Sequence, residues 1–167
     1  MNGSPKQVLK VAGTEAGVSE PKATFSTCFG EPFMVRAPSV YADLLGQKIR
    51  AHETDCWLVN TGMTGGPYGV GHRIDLSHTR AMVDAILDGT LADVPCIRDP
   101  VFDLSIPNRV PDVPDSILMP RQTWDDPHAY DRHAQELVDA FAENFEAYAE
   151  QVEEVRAAGP SLETVYR

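Results

Sequence analysis

The chain has 167 residues, of which 43% are hydrophobic and 23% are charged, and its formal net charge is −11. This length and composition are typical of one globular domain with a core of its own, and they exclude wholesale disorder. The balance of 25 Asp and Glu against 14 Lys and Arg argues against nucleic acid and anionic membranes as general partners.

The sequence indicates neither secretion nor membrane insertion. Its first residues lack the apolar core of a signal peptide, and it contains no run of about 18 apolar residues. Cys28, Cys56 and Cys96 are too few and too far apart for a disulfide framework or a CxxC metal site. We therefore expect a cytoplasmic protein that contacts no membrane.

The N-terminal third predicts an extended opening segment, one helix and one strand. Residues 1–24 are rich in Gly, Ser, Pro, Lys and Thr, and residues 24–33 predict a buried loop or short strand around Cys28. Ser39 is the candidate N-cap of a helix that ends at about residue 51. The short apolar run at 55–60 predicts a strand.

A glycine-rich loop at 61–73 is the most informative stretch, because five glycines and a proline fall within ten residues. Gly66 and Gly71 have the spacing of a phosphate-binding P-loop, but His72 and Arg73 replace the Lys and the Ser or Thr that should follow. A glycine turn that joins a strand to a helix is the simpler interpretation. Glycine also allows the backbone to approach a ligand closely.

The segment after this loop predicts a brief strand and a second helix. Ile74 and Leu76 alternate with polar residues, and Ser77 is the candidate N-cap of a helix to residue 87. Gly89 is a typical end for this helix. Its predicted buried face consists of Ala81, Met82, Ala85 and Ile86.

The C-terminal part predicts a proline-rich strap and a long helix. Residues 94–121 carry six prolines and predict an irregular extended segment, in which 102–106 is the strand candidate. Asp125 or Asp126, followed by Pro127, predicts the start of an amphipathic helix that continues to about residue 158.

The side chains at the exit of the glycine loop suit a nucleotide base. The guanidinium of Arg73 can stack on a purine, Ile74 can cover a ring face, and the Thr79 hydroxyl can hydrogen-bond a ring nitrogen or exocyclic amine. This combination suits adenine. The alternative is a surface arginine beside a core isoleucine.

The other reactive side chains favour structural roles. His72 and His78 share no fixed face and have no third ligand nearby, which argues against a metal site. Cys28 lies between Phe25 and Phe29, which indicates a buried thiol and not a nucleophile. We therefore predict no catalytic residue and no metal site in this chain.

Several ordered blocks resemble ATP-dependent phosphoenolpyruvate carboxykinase, over nearly the whole chain. The blocks are AGTEAGV at 12–18, EP at 20–21, TFSTCFG at 24–30, the stretch 58–71 that opens with LVNTG, TR at 79–80, NRVP at 108–111, LMPR at 118–121 and NF at 144–145.

The resemblance implies a gluconeogenic carboxy-lyase, or decarboxylase, that converts oxaloacetate and ATP into phosphoenolpyruvate, CO₂ and ADP with Mg²⁺ and Mn²⁺. It implies that this chain is roughly the last third of the family's length, and that Arg73, Ile74 and Thr79 contact adenine. The family's P-loop, metal ligands and oxaloacetate-binding arginine lie upstream. Met63 stands where the family usually has tryptophan, and His72 where it has lysine.

We therefore expect a mixed α/β fold, a partial carboxykinase nucleotide-binding domain with short strands, three main helices and a proline-rich strap. The expected division is an extended segment at 1–24, a domain portion at 25–160 and a tail at 161–167. The expected function is that of a C-terminal fragment or subunit of the carboxykinase, which binds the adenine part of ATP, is inactive alone and needs an N-terminal partner chain. The alternative is a non-catalytic adenine-nucleotide-binding or protein-interaction module derived from that family.

Overall fold

The computed structural model describes residues 6–10, 22–26, 31–148 and 159–161, and these form a mixed α/β fold. Six short strands pair two by two in antiparallel sheets: β1 (Lys6–Lys10) with β2 (Lys22–Ser26), β3 (Met63–Thr64) with β4 (His72–Arg73), and β5 (Cys96–Arg98) with β6 (Ser105–Pro107). The helices are α1 (Pro38–His52), α2 (Leu76–Leu87), α3 (Asp115–Leu118) and α4 (Pro127–Phe145), with 3₁₀ turns at Glu31–Phe33, Pro120–Thr123 and Glu146–Tyr148. The predicted fold class, with short strands and three main helices, is confirmed.

The chain divides into two compact units. The first comprises Met1–Asp55 and Val138–Pro160, and the second comprises Cys56–Leu137 and Ser161–Arg167. The predicted division at residues 24 and 160 stays a prediction. Every residue expected to contact adenine lies in the second unit.

Helix α1 begins two residues before the start that a cap at Ser39 predicts, because a proline opens it. Pro38 stands in the first turn, where its missing N–H breaks no helical hydrogen bond, and Ala37 stands at the N-cap position. The prediction of Ser39 as the cap is therefore wrong. The helix ends where Glu53 adopts a left-handed conformation, with φ of 48°, and donates its N–H to the Ile49 carbonyl.

The first unit leaves large apolar side chains exposed in the part of the chain that the structure describes. Phe33 is 85% exposed, and Leu44 and Leu45 of α1 are 51% and 57% exposed. The prediction of a buried loop or short strand at 24–33 agrees with β2 at residues 24–26, but it is wrong at Phe33, whose ring is exposed. Cys28 and its neighbours at 27–30 lie outside the described residues.

The predicted strand at 55–60 does not form. Residues 54–60 pair with none of the described strands, and Trp57 and Leu58 are 36% and 73% exposed. A strand needs backbone partners on a neighbouring edge, and apolar character alone does not supply them.

A small core in the second unit receives one face of α2. Ala85 and Leu91, each 4% exposed, form a buried cluster with Val110 and Val113. Half-buried residues of α2 pack against this cluster, namely Ala81, Met82 and Ile86. The predicted buried face of α2 is confirmed.

The ends of α2 differ in how well the sequence predicted them. The helix begins at Leu76 with Asp75 at the N-cap position, so Ser77 lies inside the first turn and the prediction of Ser77 as the cap is wrong. The preceding strand consists of His72–Arg73, before the predicted position. At the other end, Gly89 follows the helix with φ of 79°, as predicted.

The proline-rich stretch contains a hairpin that the sequence did not predict. Strands β5 and β6 pair from Cys96 opposite Pro107 to Arg98 opposite Ser105. The Asp99 carboxylate closes the turn between them, because its Oδ1 accepts the N–H groups of Val101 at 3.0 Å and Phe102 at 2.7 Å. The strand candidate at 102–106 overlaps β6 at residues 105–106, but the prediction that the rest of this stretch is irregular is wrong at Cys96–Arg98.

Helix α4 begins where the sequence predicted. Pro127 is its first residue, and the Asp126 carboxylate accepts the His128 N–H at 2.9 Å. This hydrogen bond is the main reason that the pKa of Asp126 lies below its usual value. The helix reaches Phe145, and the predicted continuation over 149–158 lies outside the described residues. Among the described helices, none has the length and apolar character needed to cross a membrane.

The burial of Leu91 in the small core predicts that this side chain stabilises the second unit. We expect Leu91→Ala to lower the free energy of unfolding by about 2–4 kcal/mol, because it opens a cavity between buried side chains. Leu87→Ala is the matched control, since Leu87 is 79% exposed, and we expect a change below about 0.5 kcal/mol. Urea denaturation of both variants measures this difference, and equal losses would contradict the assigned core.

Candidate nucleotide-binding site

The glycine-rich loop is a β-hairpin. Met63 lies opposite Arg73 and Thr64 opposite His72, and the loop at 65–71 joins the two strands. The Ile74 N–H donates to the Gly62 carbonyl at 2.9 Å, which extends the backbone pairing by one step. The loop therefore joins two strands and not a strand to a helix, and the brief strand expected after it is β4 at His72–Arg73. The arrangement also differs from the strand–loop–helix of a P-loop.

Backbone crowding in the hairpin requires glycine at position 71. A Cβ atom on Gly71 would lie 2.5 Å from the Gly66 carbonyl oxygen and 2.7 Å from the Thr64 carbonyl oxygen. The Pro67 carbonyl accepts the N–H groups of Gly71 at 2.9 Å and Val70 at 3.0 Å. The loop is therefore tightly wound and closed by its own backbone.

Asn60 fixes the entrance to the hairpin. Its Oδ1 accepts the Gly62 N–H at 2.9 Å, and its Nδ2 donates to the Met63 carbonyl at 3.1 Å. Asn side chains commonly close a turn by hydrogen bonding to the backbone two residues further along the chain. The apolar run before Asn60 predicted the end of a strand there, so this turn role was not predicted.

Thr123 ties the hairpin to a distant segment. Its hydroxyl oxygen accepts the Gly65 N–H at 3.1 Å and lies 3.0 Å from the donating Thr64 hydroxyl, while it donates to the Pro120 carbonyl at 2.8 Å. Gly65 has φ of 80°, and a Cβ there would lie 3.0 Å from the His72 ring. Thr123 was not predicted as part of the site, because a contact across nearly sixty residues leaves no local pattern in the sequence.

A bidentate ion pair holds the segment that carries Thr123. Arg121 Nε lies 2.7 Å from Asp131 Oδ1, and a terminal guanidinium nitrogen lies 2.9 Å from Oδ2. The Arg121 guanidinium keeps the pKa of Asp131 below its usual value. The pair therefore joins the 3₁₀ turn Pro120–Thr123 to the start of α4.

Aromatic side chains lie beside this ion pair. Trp124 meets Tyr130 edge to face, with ring centroids 5.7 Å apart, and its centroid is 5.3 Å from that of His133. Burial, and then the charges of Asp99 and Asp131, raise the pKa of Tyr130 to about 12. The Tyr130 hydroxyl therefore keeps its proton at neutral pH.

The three predicted adenine contacts occupy different environments. Arg73 in β4 is exposed and forms no ion pair with any described residue. Ile74 follows directly and is 7% exposed, so most of its side chain is inside the protein. Thr79 is half-buried in the first turns of α2, where its N–H donates to the Asp75 carbonyl at 3.1 Å.

The histidines near the hairpin do not form a metal cluster. His72 is exposed, while His78 is half-buried and its Nδ1 has no hydrogen-bond partner among the described residues. In the described ranges, no three His, Cys, Asp or Glu side chains come together as metal ligands.

Comparison with known proteins defines the family. Residues 7–116 match the family described as phosphoenolpyruvate carboxykinase, which is more than half of the chain. The chain therefore belongs to the phosphoenolpyruvate carboxykinase family. Its similarity to relatives that carry the designation (ATP) places it in the ATP-dependent branch.

Three of these relatives show the extent of the similarity. The chain is 83% identical over 157 residues to phosphoenolpyruvate carboxykinase (ATP) 1 of Salinibacter ruber, which covers 93% of this chain. It is 59% identical to phosphoenolpyruvate carboxykinase (ATP) 2 of the same organism over 92% of this chain, and 55% identical over 92% to the enzyme of Thermus thermophilus. The chain spans about 29% of the length of these relatives.

The crowding at Gly71 predicts a position-specific effect. We expect Gly71→Ala to destabilise the second unit by about 1–3 kcal/mol, because the added Cβ would clash with two carbonyl oxygens. Gly62→Ala is the control, since its Cβ would lie 3.4 Å from Asn60 Oδ1, an ordinary contact. Chemical denaturation and amide NMR shifts of the hairpin measure both variants. Equal effects of the two substitutions would show that the hairpin is not closed at Gly71.

Proposed function

We propose that this chain supplies the adenine-binding part of an ATP-dependent phosphoenolpyruvate carboxykinase, with Arg73 as the main contact to the base. The observation that carries the proposal is the exposed guanidinium of Arg73 on a glycine hairpin that is closed by its own backbone. Family membership supports it, because the related enzymes carry ATP in their names. Gluconeogenesis and a cytoplasmic location are part of the same proposal.

Arg73 is suited to stack on a purine. Its guanidinium is planar and always charged, and a base that stacks on it would break no ion pair with a described residue. Met63 lies directly opposite Arg73 across the two strands, so side chains at these positions share one face of the hairpin. The methionine at position 63, where the family usually has tryptophan, is therefore a direct neighbour of the Arg73 side chain.

Ile74 and Thr79 serve this site in different ways. Because Ile74 is 7% exposed, its burial anchors the backbone that presents Arg73, and only a small part of its side chain remains for a ring. The Thr79 hydroxyl can donate and accept hydrogen bonds, which fits the exocyclic amine and the ring nitrogens of adenine.

The phosphates and metals belong to other residues in this proposal. Phosphoryl transfer requires cations that neutralise charge on the transferred group. The hairpin carries His72 where the family has lysine, and the described residues offer no metal-ligand cluster. We propose that the rest of a carboxykinase, on an N-terminal partner chain, binds the phosphates, Mg²⁺, Mn²⁺ and oxaloacetate and completes the conversion to phosphoenolpyruvate, CO₂ and ADP.

Exposed apolar side chains favour a second candidate function. Leu58, Tyr68 and Val70 are 73%, 64% and 72% exposed, and two of them lie in the hairpin loop. Exposed apolar surface of this kind is typical of a contact with another protein. A non-catalytic module that binds an adenine nucleotide or a protein would use the same surface without any transfer of phosphate.

Nucleotide titration tests the adenine site. We expect isothermal titration calorimetry of the chain with ATP to show weak binding. Adenosine should compete with ATP, because the base supplies the contacts. We expect Arg73→Ala to weaken this binding by about 5- to 30-fold, since the stacking cation is lost. The fold should remain intact by circular dichroism, because Arg73 is exposed.

Arg109→Ala is the matched control for charge. Arg109 is exposed in the same unit, and we expect its removal to leave the affinity within about twofold. Equal weakening by both substitutions would indicate attraction between charges and not a site for the base. Unaltered binding by Arg73→Ala would contradict the proposal.

A second experiment separates the carboxykinase fragment from the non-catalytic module. We expect the purified chain alone to show no release of CO₂ from oxaloacetate that depends on ATP, with Mg²⁺ and Mn²⁺ present. Adding the N-terminal two thirds of phosphoenolpyruvate carboxykinase (ATP) 1 of Salinibacter ruber should restore turnover if the chain is a catalytic part. Turnover by the chain alone would refute the proposed division of labour, and failure to complement would favour the module.

A further inference from the structure

The hairpin that carries Arg73 has a loop closed by its own backbone, but its ladder of two residue pairs is too short to fix the orientation of the strands. Its ladder consists of Met63 opposite Arg73 and Thr64 opposite His72. An isolated two-stranded hairpin is at best marginally stable in water, even when it is longer than this one. The orientation of Arg73 therefore depends on contacts that the hairpin makes with other segments.

Thr123 provides such a contact, and its hydroxyl forms all the hydrogen bonds that a hydroxyl can form. A hydroxyl donates one hydrogen bond and accepts two. The proton of Thr123 goes to the Pro120 carbonyl at 2.8 Å, and its oxygen accepts from the Gly65 N–H at 3.1 Å and from the Thr64 hydroxyl at 3.0 Å. The contacts with Thr64 and Gly65 are partly buried, so competition from water is reduced.

The other side of this contact is itself held in place. Thr123 ends the 3₁₀ turn Pro120–Thr123, and Arg121 in the same turn forms the bidentate pair with Asp131 of α4. A bidentate pair of arginine and carboxylate fixes direction as well as distance. The turn is therefore a firm base from which the Thr123 hydroxyl can hold β3.

We propose that Thr123 is a positioning residue for nucleotide binding, which acts through Arg73. Its hydroxyl fixes the hairpin at Thr64 and Gly65. Because Met63 and Arg73 form the next pair of the same ladder, their orientation follows from it. The inference rests on the proposed function of Arg73 and deepens it. It assigns the affinity for ATP in part to a side chain that does not touch the nucleotide.

Two substitutions at this position test the role of the hydroxyl. Thr123→Val keeps the shape and removes the hydroxyl, and Thr123→Ser keeps the hydroxyl. We expect the valine variant to raise the exchange rate of the Gly65 amide about fivefold and to weaken ATP binding about fivefold, the usual effect of one lost hydrogen bond. We expect the serine variant to keep both the exchange rate and the affinity within about twofold of the unsubstituted chain. Ser116→Ala, which removes an exposed hydroxyl on α3, should change neither.

The double variant separates positioning from general destabilisation. If Thr123 acts through Arg73, then Thr123→Val should not weaken ATP binding further in a chain that already carries Arg73→Ala. Additive losses would overturn the inference, because they would mean that Thr123 acts independently of Arg73. Unchanged Gly65 exchange in the valine variant would overturn it as well.

The two measurements also distinguish this inference from the proposed function. If the unsubstituted chain binds no ATP, the proposed function fails, and Gly65 exchange still decides whether Thr123 holds the hairpin. If ATP binding depends on Arg73 while Thr123→Val alters neither exchange nor affinity, the proposed function stands and the role of Thr123 is refuted.

Discussion

The close packing of backbone at Gly71 is the constraint from which the local structure follows. No side chain fits there, since a Cβ would lie 2.5 Å from the Gly66 carbonyl oxygen. With glycine at this position the chain can reverse closely, and the backbone pairing that begins at His72 ends at Ile74, whose N–H donates to the Gly62 carbonyl. Because Ile74 then enters the interior, Arg73 remains outside and α2 can start at Leu76.

The second unit has a thin core, and polar side chains at its turns contribute much of its order. The buried cluster there consists of small and medium apolar side chains around Leu91. Asn60, Asp99 and Thr123 each accept backbone N–H groups in the turns that they close, and Asp126 does the same at the start of α4. Each such bond removes an unsatisfied donor from a turn, which a small core cannot compensate by packing alone.

The sequence predicted the features that depend on local pattern. The three- and four-residue spacing of Ala81, Met82 and Ala85 identified the buried face of α2, and the order Asp126 then Pro127 identified the start of α4. These predictions succeeded because a helix repeats its geometry along the chain.

The errors have a different physical origin. The apolar run at 55–60 lacked a partner strand, and Ser39 and Ser77 were wrong as caps because Pro38 and Asp75 stand before them. The hairpin of β5 and β6 depends on the hydrogen bonds of the Asp99 carboxylate in the turn. It was not predicted because the number of prolines indicated an irregular segment. The contact between Thr64 and Thr123 is long-range, so no window of sequence contains it.

The same geometry limits how the proposed adenine site can work. Side chains of consecutive residues in an extended backbone point in opposite directions, so Arg73 and Ile74 do not offer one flat surface to a ring. The exposure of Arg73 and the burial of Ile74 agree with this alternation. In the proposed site, the guanidinium therefore supplies the stacking face and Ile74 supplies the anchor that keeps it in place. Because Ile74 has no polar side-chain atom, we assign the recognition of adenine over other bases in this proposed site to the hydroxyl of Thr79 and to backbone groups at the end of the hairpin.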